Sequence, residues 1–354
     1  MRRIKVEVVR LALTSYGCLL LSLCRIGIRL DAAHRQYSLI KLEDHLAAIP
    51  GFTIPNERKY MKLFGSYLYS NKGFICELGC TFGSFTASLA SGLRKGSKKI
   101  HCHDLFTWHK SFGDVLEGTE FAETLRYGDS FLPVFRHYTS GYESFIEPIA
   151  GDIGDVHWDE SKKIELLVVD AMKNEFLADV ILRRFYGQLE VGSYVFQQDF
   201  CHYHEPWIHL IHYQFKDCFT LVCHVEDTPS LVFRMTRKIE PERLRAGFDL
   251  QNFDEQRIRE SFDYSISLVS EEPARQNILA AKGFCLLARH FFEEAERTLD
   301  QLLEEYDFIE PGNLEFVIQV HQKAKEDKQL ILDTMRNEGK NLITDLDYVT
   351  DINY

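Results

Sequence analysis

The sequence predicts an α/β fold built on a mostly parallel sheet that ends in an antiparallel strand, and three observations carry that expectation. Residues 73–93 read GFICELGCTFGSFTASLASGL, in which an apolar run (Phe74, Ile75, Cys76) meets an acid, Glu77. A glycine-punctuated turn from Gly79 to Gly83 and an apolar stripe at helical spacing (Phe85, Leu89, Leu93) follow, the order of strand, tight loop and helix. Residues 163–170 and 192–199 are two further runs, largely apolar, that each close on an aspartate, as parallel strands covered on both faces do. Residues 218–225 and 230–235 are strand-like runs split by the turn-rich link Glu226-Asp-Thr-Pro229, the pattern of a terminal hairpin.

Taking the chain in order, 354 residues suffice for one large α/β domain with appendages. Residues 1–58 read as a helical lead-in, 59–240 as the ligand-binding α/β domain, 241–336 as a helical region and 337–354 as a polar, acidic tail. Within the lead-in, residues 11–24 are uncharged and largely apolar behind Arg2, Arg3 and Lys5, which resembles an export signal in outline. The run is too short for an ordinary membrane span, so a packed helix is expected. Residues 41–62 read as two helical pieces parted by Pro50-Gly51 and Pro55, fit to form one wall of a site. The balance of 41 basic against 53 acidic residues gives a net charge of −12, which argues against nucleic acid or an anionic membrane as the main partner. Nine cysteines without C-x-x-C pairs point to a reducing, cytoplasmic setting.

The glycine loop is the first candidate site. Glycine at 79 and 83 permits positive φ and lets backbone amides approach a ligand, and the helix that follows offers unpaired N–H groups. A turn whose glycines serve packing alone is the plainer alternative. The spacing is neither G-x-G-x-x-G nor G-K-[ST]; it is E-x-G-x-x-x-G, which resembles the first motif of class I S-adenosylmethionine (SAM) dependent methyltransferases, with their Rossmann-like sheet. The resemblance implies that Glu77, Gly79, Thr81, Gly83 and Ser84 cradle SAM. It also implies that Asp104, ending the strand-like run 99–104, holds the ribose hydroxyls and that Asp152 contacts the adenine amino group.

The chemistry concentrates in the next two strand ends. Asp170 and Asp199 should face the crevice at the carboxyl edge of the sheet, with His202, His204 and Glu205 close behind in sequence. Such an oxygen-rich set suits Mg²⁺ or a similar hard cation. Asp170-Ala-Met-Lys173 resembles the D-x-x-K segment of metal-dependent O-methyltransferases of the catechol and caffeoyl-CoA type, and macrocin-type sugar O-methyltransferases use acids at the same strand ends. That resemblance implies Asp170, Gln198 and Asp199 as metal ligands and Lys173 as the base that deprotonates the acceptor hydroxyl. The family has an acid where this chain has Gln198, a neutral and poorer ligand, and His202 or His204 stands ready as ligand or base instead. Two plainer roles stay open at this point: Asp170 as a helix N-cap and Lys173 as a solvated residue at a helix start. His209 and His212, at i and i+3 among Trp207, Ile208 and Ile211, read as packing residues.

Between the strands, the stretch from Phe106 to Phe145 carries ten Phe, Tyr and Trp side chains that could be core or a substrate lid. Residues 277–306 have a helical apolar period and resemble one tetratricopeptide-like helix pair, suited to docking or to pairing two subunits as a homodimer. The expected activity is metal-assisted O-methylation of a hydroxylated small molecule, a sugar or glycosylated natural product. The alternatives are a metal-independent methyltransferase with a histidine base, or a non-catalytic scaffold on the same fold.

Overall fold

The computed structural model describes residues 2–305, apart from 29, 110, 111, 113 and 204, and the side chains from 13 onward apart from those of 303 and 305. His204 and the acidic tail expected over 337–354 therefore lie outside the described residues. The chain forms two compact units that alternate along the sequence: residues 1–170, 188–197 and 220–238 make the first, and 171–187, 198–219 and 239 onward make the second.

The first unit holds the sheet. Its strands are β1 (Phe74–Leu78), β2 (Ile100–Asp104), β3 (Ile146–Ala150), β4 (Ile164–Val169), β5 (Leu189–Gln197), β6 (Phe219–His224) and β7 (Leu231–Met235), in the order β3-β2-β1-β4-β5-β7-β6. The pairs β3/β2, β2/β1, β1/β4 and β4/β5 are parallel, and β7 runs antiparallel to β5. β4, IELLVV, is buried along its whole length, the reason it contains no alternation. The one acid in it, Glu165, accepts the backbone N–H groups of Ser70, Lys72 and Gly73 at 2.7–3.1 Å and so ties down the loop entering β1.

Register lines up the strand ends. Leu78 pairs with His103 and Val169, Asp104 with Ala150, and Val169 with Gln197, so the segments beginning at Gly79, Leu105, Gly151, Asp170 and Gln198 all leave the same carboxyl edge. The helices of this unit are α1 (Arg2–Arg25), α2 (Asp44–Ala47), α3 (Pro55–Leu63), α4 (Ser84–Gly92) and α5 (Leu132–Tyr138). α1 is a helix packed through Leu20, Leu21 and Cys24. No helix among the described residues is long and apolar enough to cross a membrane.

Much of the aromatic stretch is core. Phe106, Phe112, Phe131 and Phe135 are buried and gather round Phe82 of the glycine loop or one another, while Tyr127 is exposed. A cavity with about 740 Å³ of empty space, open solvent included, lies among Trp108, Leu116, Phe121 and Leu125, rimmed by Asp114, Glu117 and Glu123.

The second unit is helical: α6 (Glu175–Arg184), α7 (Pro206–Gln214), α8 (Pro241–Ala246), α9 (Glu255–Ser267), α10 (Glu272–Ala288) and α11 (Phe292–Glu305). α10 packs on α11, the helix pair that the apolar period of residues 277–306 predicts, and also on α9. His209 and His212 are packing residues: both are buried against Phe200, and desolvation pushes each imidazole down to about 3, holding it neutral. All nine cysteines are free thiols.

Candidate active site

The glycine loop is built around one carboxylate. Asp104, 7% exposed at the end of β2, accepts the N–H groups of Cys80 at 2.8 Å and Thr81 at 2.9 Å through Oδ2, and that of Phe106 at 2.8 Å through Oδ1. Thr81 and Phe106 both sit in the left-handed region, at φ 46° and 51°, a conformation that costs a non-glycine residue of order 1–3 kcal/mol and tends to gather at functional sites. Burial raises the Asp104 carboxyl from its usual value, while the three amides pull the other way. Asp104 therefore stands behind the loop and shapes it through these three amides.

Glycine is required at both predicted positions. Gly79 lies at φ 83°, and a Cβ there would sit 2.5 Å from the Asp170 carbonyl oxygen. Gly83 lies at φ 87°, where a Cβ would meet Thr139 Cγ2 at 2.5 Å. The packing alternative holds for the space behind these residues. The front of the loop faces a cleft lined by Glu77, Gly79, Cys80, Thr81, Ser84, Phe85 and Asp170, with Phe52 and Thr53 completing it from the lead-in.

Thr53 and Phe52 were not legible as site residues, and a buried arginine explains their position. Arg58 is 7% exposed and donates to the carbonyls of Leu46, Ala47, Ile49 and Thr53 and to Thr53 Oγ1. Thr53 Oγ1 in turn lies 2.8 Å from Ser84 Oγ, on the first residue of α4. The cleft encloses about 250 Å³ of empty space, open solvent included. A nucleoside fills more space than that, so seating one here requires the residues lining the cleft to move.

Glu77 is one of two acids lining that cleft, with Asp170 the other. It is buried; Oε2 accepts the Thr86 hydroxyl at 2.7 Å, and Oε1 has no hydrogen-bond partner. Burial, with Asp170 and Asp104 adding repulsion, pushes its carboxyl up to about 8. An unpaired oxygen aimed at a cleft is a ready acceptor for a ligand donor such as an ammonium. Among the described residues, Glu77, Cys80 and Cys102 form the one group of three metal-capable side chains whose ligand atoms all lie within 4.8 Å of one another. Asp152 lies two residues beyond β3, is exposed, and spends Oδ1 on the Gly154 N–H at 2.6 Å, so it caps its own turn outside the residues lining the cleft.

The expected metal ligands divide between the units: Asp170 belongs to the first, Gln198 and Asp199 to the second. Asp170 is not the cap of the following helix, since Asn174 caps α6 by accepting the Leu177 N–H at 2.8 Å. Lys173 is not a solvated helix start either. Its side chain is 17% exposed and its ammonium is bonded to Asp199 Oδ2, with Glu205 Oε1 at 3.7 Å. Glu205, 2% exposed, places its other oxygen 3.0 Å from His202 Nδ1. Burial opposes a charge on His202, and Glu205 and Asp199 outweigh it, so the imidazole titrates above its ordinary value. Glu205 is the residue that spacing alone left in the background; the signal available was an acid three residues after a histidine at a strand exit.

No protein-family model matches the chain, and no curated protein matches it. Among solved structures it is similar to the O-methyltransferase NovP, at 16% identity and TM-score 0.40 over 51% of this chain and 80% of that one. It is also similar to apo CalS11, a TDP-rhamnose 3'-O-methyltransferase of calicheamicin biosynthesis, at 14% identity and TM-score 0.37, covering 62% and 93%. The O-methyltransferase TomG from Streptomyces achromogenes in complex with SAM gives 11% identity and TM-score 0.37, covering 56% and 92%. The fold assignment rests on the molecule itself: five parallel strands in the order 3-2-1-4-5, an antiparallel β7 beside β5, and a glycine loop leaving β1. That is the Rossmann-like sheet of the class I SAM-dependent methyltransferases.

Proposed function

We propose that the protein is a SAM-dependent O-methyltransferase acting on a hydroxylated small molecule, with a sugar or glycosylated natural product as the acceptor. The observation that carries the reading is the glycine loop at the carboxyl edge, pinned from behind by Asp104 and offering the unpaired Glu77 Oε1 to the cleft in front. Residues 59–240 are assigned the cofactor-binding role. Glu77, Gly79, Thr81 and Ser84 contact SAM, Gly83 admits the turn into α4, Asp104 positions the loop, and Asp152, just beyond β3, is assigned the adenine contact. The donor supplies an electrophilic methyl carbon on a sulfonium.

His202 is the base in this reading. Glu205 faces Nδ1, which fixes Nε2 as the nitrogen that takes the proton of the acceptor hydroxyl. The acceptor oxygen forms the new C–O bond as the C–S bond breaks, and the product proton stays on the imidazole until solvent removes it. His204 remains a second candidate base. A divalent cation on Asp170, Gln198 and Asp199 would polarise the acceptor, but that ligand set does not fit: Asp199 holds the Lys173 ammonium and Gln198 offers only a neutral oxygen.

Isothermal titration of the purified protein with SAM tests the reading. Saturable binding that is lost in Gly79→Ala supports it, and the absence of binding removes it in favour of a scaffold on a methyltransferase fold. Transfer of a labelled methyl group to a panel of hydroxylated acceptors then selects the substrate class.

A further inference from the structure

We propose that the Lys173 ammonium is a built-in replacement for the divalent cation of metal-dependent O-methyltransferases, so that the carboxylates beyond β5 hold a cation carried by the chain itself. The proposal rests on the methyltransferase reading for its catalytic meaning, although its central test does not.

Three features of the second unit converge on it. Asp199 and Glu205 are both largely withdrawn from water, at 13% and 2% side-chain exposure, and two such carboxylates require a nearby cation. The cation present is the Lys173 ammonium, bonded to Asp199 and 3.7 Å from Glu205. The third feature is Gln198, 5% exposed, whose Oε1 has no hydrogen-bond partner although it starts the same turn as Asp199. An amide oxygen in that position brings one negative charge fewer than an aspartate. A dication entering here would meet a weaker donor set and a resident positive charge that repels it.

The charge arithmetic favours the amine. Asp199 and Glu205 together carry two negative charges, and Lys173 supplies one positive charge between them. A dication in addition would leave the cluster over-neutralised. An ammonium also keeps part of the chemical benefit of a metal: it donates hydrogen bonds and lowers the cost of negative charge on an acceptor oxygen. It does so without octahedral geometry or bound water.

The test reads metal binding directly. After chelator dialysis, Mn²⁺ is titrated into the wild type and into Lys173→Met, which keeps the aliphatic stem and loses the charge, and binding is followed by the loss of free Mn²⁺ signal in electron paramagnetic resonance. The wild type is expected to show no saturable site up to millimolar Mn²⁺. Lys173→Met is expected to gain one at least tenfold tighter, and the further change Asp199→Asn should abolish the gain. Saturable Mn²⁺ binding by the wild type that Asp199→Asn removes overturns the proposal, as does a folded Lys173→Met protein that gains no site. If Lys173→Met fails to fold, Lys173→Arg replaces it: the retained charge must keep the protein free of Mn²⁺, and binding by Lys173→Arg overturns the idea. SAM titration in parallel separates this result from the activity: a protein that binds no SAM fails the functional reading and leaves the Mn²⁺ outcome intact. For a SAM-binding protein, methyl transfer within twofold in the presence of excess chelator supports the proposal, and a loss of tenfold or more restored by Mg²⁺ overturns it.

Discussion

The carboxylate of Asp104 and the carboxylates of Asp199 and Glu205 solve the same problem in opposite ways. Asp104 is neutralised by three backbone N–H groups from two loops, whereas Asp199 and Glu205 are neutralised by the side chains of Lys173 and His202. Backbone donors cannot be mutated away, so the first arrangement is fixed by the fold and every change to its acceptor is felt. Side-chain cations can be exchanged, so the second arrangement is where the identity of the cation can change. The contrast separates a region that holds a shape from a region that handles charge.

The largest effect is expected at the first region. Asp104→Ala leaves three amides without an acceptor, those of Cys80 and Phe106 buried and that of Thr81 half-buried, at about 1–3 kcal/mol for each buried unsatisfied group, and should abolish SAM binding with a steep fall in melting temperature. A variant that melts as the wild type does and still binds SAM would break the comparison. Gly79→Ala comes next. Its Cβ meets the Asp170 carbonyl at a left-handed φ, so a cost of about 1–3 kcal/mol is expected together with loss of SAM binding by calorimetry.

Glu77 gives a pH signature of intermediate size. Its folded pKa of about 8 lies above the ordinary carboxyl value near 4.3, so between the two the native state holds a proton that the unfolded chain has released. The contribution is therefore fully favourable below about pH 4 and is lost as pH rises toward 8. Thermal melts should fall over that interval, and Glu77→Gln should flatten the slope. At the second region, Glu205→Gln removes the main influence that raises His202, so the acidic limb of the methyl-transfer pH profile should move to lower pH. An unmoved limb assigns the base elsewhere. The smallest effect belongs to an exposed pair outside both regions: Lys238→Ala breaks its contact with Glu190 and should stay within about 0.5 kcal/mol of the wild type in denaturant titration.

How far the sequence could be read follows from the same contrast. The strand, loop and helix at residues 73–93 and the hairpin at 218–235 were legible because periodicity and glycine placement are local signals. The mostly parallel character of the sheet was legible in apolar runs that close on acids, whereas the order of the strands comes from the pairing itself. The partners of Asp104 and Asp199 were not legible, because what a carboxylate faces depends on groups that spacing does not report. Asp104 reaches back 24 residues to Cys80, and Lys173 reaches forward 26 to Asp199. Arg58 was invisible for a related reason: its role is to collect carbonyls of the preceding segment, and every residue has a carbonyl. The aromatic stretch left core and lid undecided, since large rings serve both; the neighbours of Phe82 decide it for Phe112 and Phe131.

The interleaving of the two units has a consequence for biosynthesis. β5 ends at residue 197, yet its outer partner β7 begins at residue 231. During synthesis the five parallel strands emerge first, with one side of β5 carrying a row of unpaired backbone groups while about thirty further residues are made. An exposed strand edge is a template for pairing with other chains. Release of the nascent polypeptide before residue 235 should thus yield aggregating fragments, whereas release just after 238 completes the sheet.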